Sequence, residues 1–169
     1  MKKLYLLRHA KAASALEGGA DRERPLTERG QRAARAVARW MAEKGLEPEL
    51  ILCSSAVRTR QTLALILPAC ARARQVLYED GLYLAEARAL LARLRRVPAA
   101  SASVMLVGHN PGLEELATHL AGGSRRLAPG LPTGALVIFD LSSDWDELEK
   151  EGTRLVELVT PKELSRERD

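Results

Sequence analysis

The sequence predicts a three-layer α/β fold, with helices on both faces of a mostly parallel central sheet that carries an antiparallel edge. Short apolar runs at 4–7, 50–53, 75–78 and 103–107 alternate with amphipathic stretches, the pattern of strand–helix–strand crossovers. Leu4-Tyr5-Leu6-Leu7 and Val104-Met105-Leu106-Val107 are continuously apolar, as strands buried on both faces are. The last two runs, 135–139 and 155–159, are joined by a short Asp/Glu-rich link containing Gly152, which closes them as a hairpin and supplies the antiparallel edge.

The elements follow in order. The run 4–7 stops in Arg8-His9, and residues 10–25 have no helical or strand period, so they form a loop over the sheet edge. Thr27 is a good N-cap for a helix that should bury Ala33, Val37, Trp40, Met41 and the stem of Lys44, with Arg32, Arg35 and Arg39 solvated, and that ends at Gly45. After the second strand either Ser54 or Ser55 can cap a helix presenting Ala56, Thr59, Leu63, Ile66 and Leu67 and stopping at Pro68. A helix over about 85–96 packs Leu90, Leu91 and Leu94. The strand 103–107 runs into Gly108-His109-Asn110-Pro111-Gly112, where Pro111 suits a first helical position and the following helix buries Leu113, Leu116, Ala117 and Leu120.

With 169 residues, 46% hydrophobic and 28% charged, the chain has the composition of one ordinary globular domain. A net charge of +4 and 4% aromatic residues argue against nucleic acid and suit a small anion or a phosphorylated partner. Cys53 and Cys70 form no CxxC pair and read as buried thiols of a reducing compartment. The apolar run behind Met-Lys-Lys is too short for a signal peptide or membrane span, so the expectation is a soluble cytoplasmic protein with no membrane partner.

The chemistry gathers at strand ends. A buried parallel strand hands its next residues to the crevice where ligands of open α/β sheets bind. His9 at such a point reads as a nucleophile, with Arg8 holding the anion it attacks. Arg58, just past the second strand, and Arg24, at the end of the loop, join Arg8 as forks matched to phosphoryl oxygens. Their charge would keep His9 unprotonated near neutral pH. His109, where a strand meets a helix N-terminus, is placed to donate to the same group. His119, on the flank of a helix, reads as structural. No His-x-x-x-His or paired-carboxylate spacing suggests a metal.

Leu7-Arg8-His9-Ala10, the run from Arg24 to Gly30, the run from Ser54 to Thr62 and Val107-Gly108-His109-Asn110-Pro111 together resemble the histidine phosphatase (phosphoglycerate mutase-like) superfamily, and the short chain and the Gly-His-Asn-Pro turn resemble its SixA-type phosphohistidine phosphatases. The match runs from residue 4 to about 140, within a single histidine-phosphatase domain over 1–161, and the charged residues 162–169 read as a frayed tail. The resemblance implies a phosphohistidine intermediate on His9 that water hydrolyses, a phosphate pocket of Arg8, Arg24, Arg58 and His109, and neither metal nor other cofactor. Ser55 stands where a proline is common in this family and Ala10 where a glycine is frequent. The position of the larger relatives' acid is best matched by Asp80, with Glu79 beside it, so Asp80 is the candidate catalytic acid. A phosphohistidine protein is the leading substrate class. A small phosphomonoester or a phosphomutase reaction is the alternative; a non-enzymatic phosphate-binding module would not need both His9 and His109.

Overall fold

The computed structural model describes residues 1–166. Its strands are β1 Lys2–Arg8, β2 Leu50–Ser54, β3 Gln75–Glu79, β4 Ser103–Gly108, β5 Leu136–Leu141 and β6 Thr153–Val159. Its α-helices are α1 Glu28–Lys44, α2 Val57–Ile66, α3 Ala87–Arg95, α4 Gly112–Leu120 and α5 Pro161–Arg166. Among the described residues the strands form one sheet in the order β3-β2-β4-β1-β5-β6. The pairs β3/β2, β2/β4 and β4/β1 are parallel, whereas β1/β5 and β5/β6 are antiparallel, as the hairpin link requires.

Strand side chains alternate between faces, and β1 shows both. Leu4 and Leu6 pack with Leu90, Leu94, Leu113 and Leu116 beneath α3 and α4. Tyr5 and Leu7 point the other way, to Val37, Met41, Leu63, Ile66 and Leu164 from α1, α2 and α5. The central strands are apolar throughout because each feeds two cores, giving the three layers expected.

Two glycines mark close approaches that fix helices near the site. A Cβ on Gly30 would lie 2.2 Å from the Lys11 carbonyl oxygen, so α1 rests directly on the chain after β1. A Cβ on Gly112 would lie 1.9 Å from the Ala85 carbonyl oxygen, which brings the start of α4 against the approach to α3. Glycine is the residue that permits either contact.

Several details differ from expectation. Thr27 caps α1 as anticipated, its hydroxyl accepting from the Gly30 N–H at 2.9 Å. The buried stripe is Gly30, Ala34, Val37 and Met41, while Ala33 and Trp40 are half-buried and Lys44 is exposed. The contact with Lys11 sets this rotation, and it is not encoded in the helix's own periodicity. Neither Ser54 nor Ser55 is the N-cap residue of α2; that place is taken by Ala56, without a side-chain cap. The stretch 162–166 is not a loose tail: it belongs to α5, whose Leu164 is buried against Val37 and Met41. Residues 167–169 lie outside the described residues. No described helix is long and apolar enough to cross a membrane.

Candidate active site

Arg8 on β1 stands opposite Gly108 on β4, so the next residues, His9 and His109, leave the sheet side by side. Their ring centroids are 5.3 Å apart with planes inclined at 54°. His9 is fixed through its backbone: its N–H donates to the Gly108 carbonyl at 3.2 Å, and its carbonyl accepts from the Gly134 N–H at 2.9 Å. Thr62 on α2 accepts from the Ala10 N–H at 3.0 Å and donates its own hydroxyl to the Arg58 carbonyl at 2.7 Å. One hydroxyl thus joins the chain that carries His9 to the turn of helix that carries Arg58.

The His9 tautomer follows from its partner, and Ser54, whose hydroxyl can donate or accept, is compatible with a matching one for His109. His9 Nδ1 lies 2.7 Å from the Ala10 carbonyl oxygen, which can only accept, so Nδ1 carries the proton and Nε2 keeps a free lone pair. His109 Nε2 meets the Ser54 hydroxyl at 2.8 Å. With Ser54 donating there, His109 Nδ1 is left as an N–H donor, and it is buried without a partner. Ser54 therefore orients a histidine, a role its position before a helix does not disclose.

A cleft of about 400 Å³ opens over these groups, lined among others by Arg8, His9, Arg24, Arg58, His109 and Asn110. The structure brings together all the candidate phosphate ligands. Arg58 is almost fully enclosed, its side chain 4% exposed. Arg8 is held by donating from Nη1 to the Leu131 carbonyl at 2.8 Å, and Asn110 Nδ2 donates to the same oxygen at 2.9 Å. Arg24 donates from Nε to the Ala13 carbonyl at 2.7 Å. Buried polar atoms without partners are rare in native proteins, yet those of Arg8 Nε, Arg58 Nε, His109 Nδ1 and Asn110 Oδ1 all belong to residues lining this one cleft. Three of the four belong to arginines or a histidine, which suits an anion with several acceptor oxygens.

Burial, reinforced by Arg58, Arg8 and Arg24, lowers the His9 pKa to about 4, against the hydrogen bond with the Ala10 carbonyl. Burial, followed by Arg58, lowers that of His109 to about 3. Both rings are neutral at physiological pH, as a nitrogen nucleophile must be.

The carboxylates are arranged differently from expectation. Asp80 does not line the cleft; its side chain is 80% exposed and accepts from Arg22 Nη2 at 2.6 Å and from the Ser55 hydroxyl. Glu79 is engaged by both ends of the Arg93 fork, at 2.7 and 2.9 Å. The carboxylate that does line the cleft is Asp21. It sits at the tip of the loop closed at its base by the Ala12–Leu26 bridge, where residues 21–23 form one turn of 3₁₀ helix. Asp21 Oδ2 accepts from Arg58 Nη2 at 3.0 Å and from the Tyr83 hydroxyl, and Oδ1 accepts from Arg24 Nη1 at 2.9 Å. Its local sequence, Gly-Gly-Ala-Asp, gives no sign of this; only the fold of the loop brings it over Arg58. Asp80 and Ser55 hold neighbouring Arg22, so they anchor that loop. Among the described residues no group of three His, Cys, Asp or Glu side chains is placed to hold a metal ion.

Comparison with known proteins identifies the family. The model of the histidine phosphatase superfamily (branch 1) matches residues 4–83. A solved structure from Agrobacterium tumefaciens assigned as the phosphohistidine phosphatase SixA is 34% identical, with a TM-score of 0.82 over 95% of this chain and 98% of that one. A second SixA assignment, from Nakamurella multipartitia, is 32% identical, with a TM-score of 0.78 over 95% and 96% of the two chains. An uncharacterized protein of Mycobacterium tuberculosis is 32% identical over 164 residues, spanning 92% of this chain and the whole of that protein. The doubly buried parallel strands, the pair of histidines leaving β1 and β4, and these likenesses converge: the chain belongs to the histidine phosphatase superfamily, in its SixA-type group, and is a phosphatase.

Proposed function

We propose that the protein hydrolyses phosphohistidine on a protein partner, through a phosphohistidine of its own at His9 and without a metal ion, within one domain that extends through α5. One observation carries this reading: His9 Nε2 has a free lone pair beside a cleft where buried nitrogens of Arg8, Arg58 and His109 lack partners. A phosphoryl group would supply those partners. Arg8, Arg24 and Arg58 would clamp its oxygens while His109 Nδ1–H donates to the charge that builds as the group transfers. With positive charge already supplied by guanidinium groups, a cation is not needed to neutralise the dianion. His9 keeps its Nδ1 proton on the Ala10 carbonyl throughout, so it enters neutral and becomes a phosphoimidazolium. From that cation the ring departs as neutral imidazole, a good leaving group, when water attacks phosphorus. The SixA assignments of the two similar structures support phosphohistidine over other phosphoryl donors.

Acid-free quenching during turnover of an aryl phosphate in the presence of EDTA tests the scheme. The expected product is an alkali-stable, acid-labile phosphoenzyme on His9, lost together with at least roughly 10³-fold of the turnover in His9→Ala. A phosphoserine, or turnover that EDTA abolishes, would overturn it.

A further inference from the structure

Asp21 is unlike every other charged group in the cleft, and the scheme above leaves it without a role. It is not a proton donor: hydrogen bonds from Tyr83 first, then from Arg24, hold its carboxyl far below the usual carboxylate range. It is therefore a standing negative charge, and its side chain is 45% exposed, so oxygen surface remains open beside the two arginines. Among the described residues that line the cleft it is the only carboxylate.

Such a group matters to an N-phosphoryl substrate. A phosphoimidazole needs no proton on the nitrogen that leaves. Protonation of the ring's other nitrogen gives a phosphoimidazolium. When His9 Nε2 attacks phosphorus, the electron pair of the breaking P–N bond returns to that ring, and neutral imidazole departs still carrying its distal proton. The positive charge passes to the His9 ring, whose own distal proton rests on the Ala10 carbonyl. Water then adds to phosphorus, the second P–N pair returns to His9, and both water protons leave on the phosphate as H₂PO₄⁻. The nucleophile is His9 in the first half-reaction and water in the second, but in both a neutral imidazole leaves phosphorus with its distal proton in place, and each ring requires an acceptor for that N–H.

We propose that Asp21 is the acceptor for the substrate ring, and that it selects phosphoramidates whose leaving group is a protonated nitrogen base over phosphoesters and over substrates bearing a second anion. The proposal rests on the reading of the site as a phosphohistidine phosphatase. It also explains how the reaction proceeds although Asp80 and Glu79 are engaged elsewhere: the acid is the substrate's own ring, kept protonated by a neighbouring carboxylate. A dianionic phosphoryl group would draw Arg24 and Arg58 toward itself and leave Asp21 free for the incoming N–H.

The test compares a phosphohistidine peptide with p-nitrophenyl phosphate in the wild type, Asp21→Asn and Asp21→Glu. In Asp21→Asn the ratio of kcat/KM for the peptide to that for the aryl phosphate should fall by roughly 10- to 100-fold, the range for a hydrogen bond to a charged group. Peptide turnover in that variant should decline as pH rises through the ordinary imidazole value of about 6.5, whereas the wild type holds its rate to higher pH. Asp21→Glu, which keeps the charge, should recover part of the ratio. An unchanged ratio, whether both activities fall together or neither does, would make Asp21 an organiser of Arg24 and Arg58 and overturn the proposal. Wild-type protein that hydrolyses the aryl phosphate but not the peptide would instead overturn the assignment of the substrate.

Discussion

Arg58 and Arg39 are both helical arginines on the same side of the sheet, and they do opposite things. Arg39 lies on the outer face of α1, beside a groove of about 580 Å³ between α1 and α5 that is also lined by Arg29, Arg32 and Lys162. It is exposed, and water screens its charge. Arg58 sits in the first turn of α2, where the helix dipole disfavours a cation by about 0.3–1 kcal/mol. Its side chain is nevertheless enclosed, with Nη1 on the Asp21 carbonyl at 2.9 Å and Nη2 on the Asp21 carboxylate. A position that costs stability twice, through the dipole and through desolvation, is kept for what the guanidinium does there. The lesson is that number and sign of charges do not define an anion site. The larger groove also gathers four cations, but they are exposed, whereas the three arginines of the smaller cleft are wholly or partly buried and each donates to a backbone carbonyl.

The sharpest way to break this comparison is to remove each arginine in turn. Arg58→Ala should lower kcat/KM on an aryl phosphate by roughly 10²–10³-fold, the effect of losing one preorganised donor to a developing charge. A loss below about fivefold in steady-state kinetics would put Arg58 on a par with a surface residue.

A subtler test uses acid. The folded state keeps His9 and His109 neutral down to about pH 4 and about pH 3 respectively. The unfolded chain protonates both near pH 6.5. Between those limits the unfolded state binds more protons, so stability falls as pH falls, by about 1.4 kcal/mol per pH unit for each histidine; above pH 6.5 neither contributes. Urea denaturation at pH 7 and pH 5 should show a smaller loss in His109→Ala than in the wild type. An equal loss would mean that His109 is protonated as easily in the fold as outside it.

Arg39→Ala should change little. Turnover within about twofold of the wild type and a stability change within about 0.5 kcal/mol are expected of an exposed side chain that has no fixed partner among the described residues. A tenfold loss would show that the outer groove takes part in the reaction.

The elements that were legible in the sequence are those written by hydrophobic pattern. The doubly buried strands, the helices between them and the hairpin edge needed only apolar runs and turn residues. His9, His109, Arg8 and Arg58 were legible because each stands at the end of a strand or within a few residues beyond it, where the chain direction alone leads to one edge. Asp21 was not legible, since what brings it over Arg58 is a loop pinned by the Ala12–Leu26 bridge and by Arg22 on Asp80. The orienting role of Ser54 was hidden for a related reason: a serine before a helix suggests a cap, and only the adjacency of β2 and β4 turns it toward His109. The rotation of α1 depended on a glycine meeting a carbonyl of another segment, a contact outside any helical period. The pattern of misses is consistent. Properties set within one segment could be read, and those set between segments could not.

The pairing of Arg8 with Gly108 links the apolar core to the reaction rate. In a sheet a slip of one residue exchanges the two faces of a strand, so it would drive Leu4 and Leu6 into the space shaped for Tyr5 and Leu7. The same slip would move His9 along the sheet by about 3.3 Å relative to His109. The greasy interior is therefore the gauge that sets the distance between the two imidazoles, and the chemistry inherits its tolerance from the packing of leucines several residues away.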